Sequence, residues 1–250
     1  MVSKMLESVV VVRESRRLSF PTRRLDKLYW GDLDGRTWTK WSISIWDIVK
    51  SPAEQRLGHP AMFPVELCER LIRVYSRVGD VVLDPFMGSG STLIAARRLL
   101  RHGVGFEIYD YFIDAAVKRL NDVGVSIETF LGGVDVMLTS PPYFNVHNRR
   151  RTSDKKEPRP YGDNPRDLGN IDDYGEFLEE LRVVFEKVHY VMRRNGVAVV
   201  VVMDVREDQN FYPLHMDVAE IMKDVGFSIR DIIIWDRRME YNNLRPIGYP

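Results

Sequence analysis

The chain has 250 residues, with 36 Lys plus Arg against 36 Asp plus Glu and a formal net charge of zero. That length supports one substantial α/β domain and leaves a second full domain cramped, while neutrality excludes a global field that would draw the protein to polyanions. No apolar run approaches the ~20 residues of a membrane span, residues 1–17 lack the apolar core of a secretory signal, and the single cysteine, Cys68, excludes internal disulfides and cysteine zinc clusters. A cytoplasmic protein without membrane contact and without a metal is the expectation.

Residues 1–51 read as an irregular N-terminal extension packed on the core, with apolar Val9 to Val12, a basic stretch around Arg16 to Arg24, and tryptophans at 30, 38, 41 and 46. Such an aromatic cluster is more readily core than the wall of a ligand site. Residues 52–250 form the main domain. After His59-Pro60-Ala61-Met62-Phe63-Pro64, the positions Leu67, Leu71, Ile72 and Tyr75 recur at helical spacing, with Cys68 among them as a core residue. Gly79-Asp80 turns the chain into Val81-Val82-Leu83, an apolar run suited to a strand covered on both faces. A glycine-rich turn, Asp84-Pro85-Phe86-Met87-Gly88-Ser89-Gly90, leads into a helix over 92–101. Residues 103–108 read as the next strand and 111–120 as its helix. Residues 125–131 have strand character, but only Gly132-Gly133 separate them from the apolar strand that starts at Val134. The two cannot be parallel neighbours, because a parallel crossover needs about a dozen residues. That strand ends in Thr139-Ser140-Pro141-Pro142-Tyr143. A long amphipathic helix over 174–192, closed by Arg193-Arg194-Asn195-Gly196, precedes a buried strand over 197–203, a helix over 214–225 ending at Gly226, and a strand over 228–235. The alternation predicts a mainly parallel, doubly wound, Rossmann-like α/β sheet. After Trp235 no further apolar strand follows, so a last sheet element is expected to be missing.

Two strand ends carry chemistry, and in such sheets ligands bind outside the carboxyl ends of strands. The loop Gly88-Ser89-Gly90-Ser91-Thr92 is not a nucleotide-phosphate loop, which needs a lysine where Ser91 stands. A dinucleotide fingerprint would place Gly or Ala at position 93, which is Leu93, so a nicotinamide oxidoreductase is disfavoured. S-adenosyl-L-methionine suits the loop better. Glycines let backbone approach its methionine moiety, Asp84 receives its ammonium directly or through water, and Glu107 at the next strand's end accepts both ribose hydroxyls. At the second strand end, the rigid Pro141-Pro142 turn aims carbonyls and the Ser140 hydroxyl at one point, where they accept hydrogen bonds from an exocyclic amine. Tyr143 offers a ring on which a base stacks.

These residues resemble the amino-methyltransferases of DNA, the N4-cytosine and N6-adenine enzymes, and most closely the cytosine group with a Ser-Pro-Pro-Tyr turn. The likeness covers most of the chain from Trp38 onward. It implies a class I methyltransferase fold, with His59, Pro60, Ala61, Phe63 and Pro64 as a cofactor segment. It makes Asp84, Pro85, Phe86, Gly88, Ser89, Gly90, Ser91 and Thr92 the cofactor loop, Glu107 and Ile108 the ribose site, and Ser140, Pro141, Pro142 and Tyr143 the catalytic turn. The chain departs from the family in three ways. The acid that reads the cofactor adenine has no clear counterpart, since Asp135 precedes the catalytic strand. No separate target-recognition domain is present, only the loop 144–170. The ending at Pro250 lacks the family's last hairpin strand, as truncation would produce.

What this implies is direct methyl transfer to the N4 amine of cytosine in DNA, as in restriction-modification. The base is flipped out or single-stranded, and no covalent intermediate forms. C5 methylation would require a nucleophilic cysteine, and Cys68 lies on an upstream helix. Phe144, Asn145 and His147 are expected to line the base entrance. Arg149, Arg150, Arg151, Lys155 and Lys156, with Arg159 after them, supply local positive charge for nucleic acid. Structured RNA such as ribosomal RNA is the nearest rival target, because an enzyme that reads shape can dispense with a recognition domain. N6-adenine methylation of DNA and a non-catalytic module that binds S-adenosyl-L-methionine are also compatible with these residues, and a homodimer or an accessory subunit is left open.

Overall fold

The structure is a computed structural model describing residues 33–57, 62–121, 133–148, 158, 160–207 and 209–237, together with the backbone of residues 6–14. The chain begins with β1 (Leu6–Glu14), α1 (Gly35–Trp41), β2 (Ile45–Trp46), α2 (Pro52–Arg56) and α3 (Val65–Tyr75). It continues through β3 (Val81–Asp84), α4 (Ser91–Arg98), β4 (His102–Gly105), α5 (Asp110–Asn121) and β5 (Val134–Thr139). The remainder comprises α6 (Tyr174–Val191), β6 (Met192–Val202), β7 (Val205–Glu207), β8 (Asn210–Tyr212), α7 (Leu214–Val225) and β9 (Phe227–Asp236). Seven strands form one sheet in the order β2-β9-β1-β6-β5-β3-β4, and β7 and β8 pair as a separate hairpin that the sequence pattern does not predict. The ladders among β4, β3, β5 and β6 are parallel, as is β2 with β9, while β1 runs antiparallel to both β6 and β9.

Strand periodicity sorts the core into two layers. Val197, Val199 and Val201 of β6 face the cluster built on α3 and α4, whereas Ala198, Val200 and Val202 face that of α6 and α7. Val82 against Val81 and Leu83, and Val136 and Leu138 against Met137, divide the same way. Strands buried on both faces explain the unbroken apolar runs. Cys68 is fully buried in the first layer, as expected. Trp46 and Trp235 join that layer, their indole N–H groups donating to Ile43 O at 2.9 Å and Ile48 O at 2.8 Å. The Arg70 guanidinium lies 5.2 Å from the Trp41 ring and 5.1 Å from that of Trp46, so Trp46 is core with Trp41 packed against it, whereas half-buried Trp38 joins neither core layer; Trp30 lies outside the described residues.

Three expectations change. Residues 6–14, read as irregular, form a strand inside the sheet, occupying the antiparallel position between β6 and β9. The long helix ends at Val191, because Met192 is already extended (φ −69°, ψ 141°) and pairs with Val134. Gly196 is therefore no helix cap. A side chain there would sit 2.7 Å from Met192 Cε and 2.9 Å from Arg193 O, while Asn195 takes the left-handed turn (φ 68°). Finally, the strand expected over 103–108 is shorter, ending at Gly105, which frees Phe106 to Ile108 for the site. Residues 125–131 and the end of the chain after Arg237 lie outside the described residues.

Candidate active site

The carboxyl ends of β3, β4 and β5 open onto a cavity of about 380 Å³. Of the residues expected to hold a cofactor, Phe63, Pro85, Phe86, Gly88, Ser89, Ser91, Glu107 and Ile108 line it. Pro64, Asp84, Gly90 and Thr92 stand outside the lining, and His59, Pro60 and Ala61 lie outside the described residues. Pro64 caps the start of α3, accepting from Leu67 N at 3.1 Å. Thr92 is fully buried, its hydroxyl 3.5 Å from Leu138 O.

The glycine loop takes its shape from two left-handed residues, Gly88 (φ 49°) and Gly90 (φ 82°), conformations that cost an L side chain roughly 1–2 kcal/mol. Gly90 also faces Ala116 of α5, so that a Cβ there would lie 3.0 Å from the alanine's own. Asp84, at the end of β3, is 1% exposed. Its Oδ1 accepts from Thr139 Oγ1 at 2.6 Å and from Phe86 N at 3.1 Å. Burial pushes its pKa up to about 6, opposed by the hydroxyls of Thr139 and Thr92 and the Phe86 amide. The direct route from a cofactor ammonium to Asp84 is thus closed in this structure. Instead the carboxyl ties the glycine loop to Thr139, the residue before Ser140.

Glu107 lies two residues past β4 and gathers three backbone amides. Gly88 N donates to Oε2 at 3.0 Å, and Ile108 N and Tyr109 N donate to Oε1 at 2.9 and 3.0 Å. Burial raises its pKa, and the amides of Tyr109, Ile108 and Gly88 pull it back.

At the end of β5, Ser140 and Pro142 line the cavity, and the Ser140 hydroxyl lies 3.0 Å from that of Tyr143, with either atom able to donate. Pro141 is buried and Tyr143 half-buried beside the second core layer. The residues that follow depart from expectation. Phe144 turns inward with φ 53°, is 2% exposed, and packs within 5.2–5.6 Å of the rings of Tyr174, Tyr212 and Phe177. Asn145 is 1% exposed and its amide donates to Asp172 Oδ1 at 3.2 Å. His147 is buried with its ring 4.9 Å from Tyr161. None of the three lines the cavity. They anchor the chain leaving the turn, because an apolar ring and a hydrogen-bonded amide gain more from burial than from a wet entrance. Arg149, Arg150, Arg151, Lys155, Lys156 and Arg159 lie outside the described residues.

The cavity has walls that the sequence motifs do not mark. Tyr109 and Phe112 come from the chain after Glu107, and Tyr161, Arg166, Asp167 and Leu168 from the loop beyond the Pro-Pro turn. The Tyr109 hydroxyl donates to Asp167 Oδ2 at 2.8 Å, the other Asp167 oxygen accepts from Gly169 N, and Asn148 reaches Gly169 O and Asn170. Aromatic clustering in Tyr109-Asp110-Tyr111-Phe112 is a usable signal, but nothing local marks Asp167. Asp135, which has no clear cofactor role, is engaged elsewhere. It sits early in β5, paired with Arg193 at 2.9 Å and accepting from Val81 N at 2.9 Å. Among the described residues no helix is long and apolar enough to cross a membrane, and no group of His, Cys, Asp or Glu is placed to hold a metal.

A mainly parallel sheet with a glycine loop, a following acid and a Pro-Pro turn around one cavity is the Rossmann-like class I methyltransferase fold. A family model described as DNA methylase matches residues 13–118 and 134–248, and the chain belongs to that family of N6/N4 amino-methyltransferases, whose cofactor is S-adenosyl-L-methionine. It is 33% identical over 128 residues to the Type II methyltransferase M.MthZI of Methanothermobacter thermautotrophicus, across 46% of this chain and 34% of that protein. To M.MjaI of Methanocaldococcus jannaschii it is 38% identical over 98 residues, across 38% and 31%. The chain thus spans about a third of the length of these curated relatives. Among solved structures, an M1.HpyAVI complex with S-adenosyl-L-methionine is 40% identical over 30% of this chain and 37% of that one, TM-score 0.28. The cytosine-N4-specific PvuII DNA methyltransferase is 27% identical over 38% and 30%, TM-score 0.25.

Proposed function

We propose that this protein transfers a methyl group directly to the exocyclic N4 amine of cytosine in DNA, on a base that is flipped out or single-stranded. The observation that carries the reading is that Ser140 and Pro142 open onto the same cavity as Gly88, Ser89, Ser91 and Glu107. Donor and acceptor are thereby brought within one enclosure. The cavity fits the cofactor in size and chemistry: glycine-loop backbone for the methionine end, a carboxylate for ribose hydroxyls, and apolar faces from Phe106, Ile108 and Phe63 for the adenine. When bound, S-adenosyl-L-methionine supplies a methyl group made electrophilic by its sulfonium.

The chain's own groups prepare the nucleophile. An exocyclic amine is poor because its lone pair is delocalised into the ring. Hydrogen bonds from its two N–H groups to Ser140 Oγ and the Pro141 carbonyl favour a pyramidal nitrogen, stabilising the geometry of the transition state more than that of the ground state. With the Ser140 hydroxyl donating a hydrogen bond to the Tyr143 oxygen, the Ser140 lone pairs are left to accept from the amine. The same contact fixes the Tyr143 ring for stacking on the target.

Tyr143→Ala should lower kcat/KM on a single-stranded oligonucleotide by about 10- to 100-fold, the range set by the ~1–3 kcal/mol of a base–aromatic stack. Tyr143→Phe, which keeps the ring and loses the contact to Ser140, should cost several-fold less. Equal kinetics for alanine and wild type would rule the stacking role out. The function itself is tested with tritiated S-adenosyl-L-methionine on duplex DNA, single-stranded DNA and unmodified ribosomal RNA, followed by nucleoside analysis. Label in N4-methyldeoxycytidine is expected; label in N6-methyladenine or in methylated cytidine would reassign the target.

A further inference from the structure

Arg119, a residue no sequence motif singles out, reaches from α5 into the back of the glycine loop. Its Nη1 lies 2.6 Å from Ser89 O, 3.0 Å from Ser89 Oγ and 3.5 Å from Ser91 Oγ, and also 3.5 Å from Met62 Sδ. Met62, Ser89 and Ser91 all line the cavity. One turn earlier on the same helix face, fully buried Ala116 leaves room for Gly90 alone, since a side chain there would meet it at 3.0 Å. The loop therefore rests on α5 at two successive points. From its other side, Glu107 grips the loop through Gly88 N at 3.0 Å. One strand-and-helix unit thus holds two neighbouring residues of the loop, Gly88 and Ser89, between opposite charges.

We infer that Arg119 is a positioning residue: it fixes the glycine loop in the shape that receives the methionine end of the cofactor, and it contributes nothing to the adenosine end. The inference rests on the cofactor reading of the cavity. Ser89 is 5% exposed, so its carbonyl has little access to water if the guanidinium is removed, and a charge-assisted bond to a buried carbonyl is among the stronger a side chain makes. The loop would then move to satisfy that carbonyl, and the surface presented to the methionine moiety would change. Glu107 keeps its other amide partners, Ile108 and Tyr109, so the ribose end stays in place.

The test is calorimetry on the full chain with two probes, S-adenosylhomocysteine and adenosine, which differ by the homocysteine portion. Arg119→Met is expected to weaken S-adenosylhomocysteine binding at least tenfold and to leave adenosine within twofold of wild type. Arg119→Lys, which keeps a cation without the planar fork, is expected to lose about threefold for the first probe and nothing for the second. The lysine variant carries the test if the methionine variant does not fold. Wild-type protein that binds neither probe overturns the cofactor reading itself. Wild type that binds, with variants that bind S-adenosylhomocysteine equally well or lose both probes in parallel, overturns the positioning role alone.

Discussion

Asp84→Ala is expected to weaken S-adenosylhomocysteine binding by about 10- to 100-fold, as befits loss of a charged hydrogen-bonding group worth roughly 1.5–3 kcal/mol. The carboxyl is buried between the glycine loop and the end of β5, accepting from Thr139 and Phe86, so its removal leaves Thr139 Oγ1 without this acceptor just ahead of the Pro-Pro turn. A pH signature separates this from simple loss of packing. Burial raises the folded pKa from 3.8 to about 6, so between those values the folded state binds more protons than the unfolded state. Stability then falls as pH rises through that window, by on the order of 3 kcal/mol in total, and is flat above it. Cofactor affinity is expected to move the other way, because the ionised carboxyl favours an ammonium in the cavity through space although direct contact is closed. Denaturant melts and calorimetry between pH 4.5 and 7.5 (roughly one and a half units either side of the raised pKa) should show both trends in wild type. Asp84→Asn, neutral throughout, should lose this component. Matching pH profiles for wild type and the Asn variant would sink the assignment.

Deleting residues 1–14 should abolish the cooperative fold. In the intact chain β1 pairs with β6 from Ser8↔Val202 to Arg13↔Val197 and with β9 from Leu6↔Asp236 to Glu14↔Phe227. Without it, β9 and β2 lose their bridge to the rest of the sheet, and β6 is left as an open edge. A domain stabilised by roughly 5–15 kcal/mol cannot absorb the loss of an interior strand. Soluble yield and near-ultraviolet circular dichroism report the result, and a deletion variant that stays soluble and melts in one sharp transition would contradict the placement of β1.

The parts of the fold legible in sequence are those where local pattern and tertiary role agree. Val81 to Leu83, Val134 to Leu138 and Val197 to Val202 are apolar on both faces because helices cover both faces of the sheet. The helix from Leu214 to Val225 stops where Gly226 adopts φ 118°, a signal local to one residue. Position within the sheet is harder to read. Nothing in Val9 to Val12 says that its partners lie near the other end of the chain, and a four-valine run followed by a basic stretch reads equally well as an irregular extension laid on the core. In the site, Gly88, Glu107 and Ser140 stand out because their spacing after strands carries chemistry, whereas Asp167 escapes notice because its partner, Tyr109, is 58 positions away. Phe144, Asn145 and His147 are misplaced for a related reason: adjacency to a catalytic turn in sequence says nothing of which way the next residue faces, and a left-handed φ at Phe144 sends it into the core.

The contacts on either side of residues 149–160 bear on how much change in length the chain between them tolerates. Phe144 in the core, Asn145 on Asp172 and Asn148 on Gly169 hold the outgoing chain, while Asp167 on Tyr109 and Asn170 on Gly162 hold the returning chain. Between Asn148 and Tyr161 the chain therefore starts and finishes next to residues held by these contacts. Doubling the length of a loop held in this way costs only about 0.6 kcal/mol in closure entropy. Insertions between Asn148 and Tyr161 should therefore be tolerated at small cost in stability, with Ser140 and the glycine loop keeping their geometry.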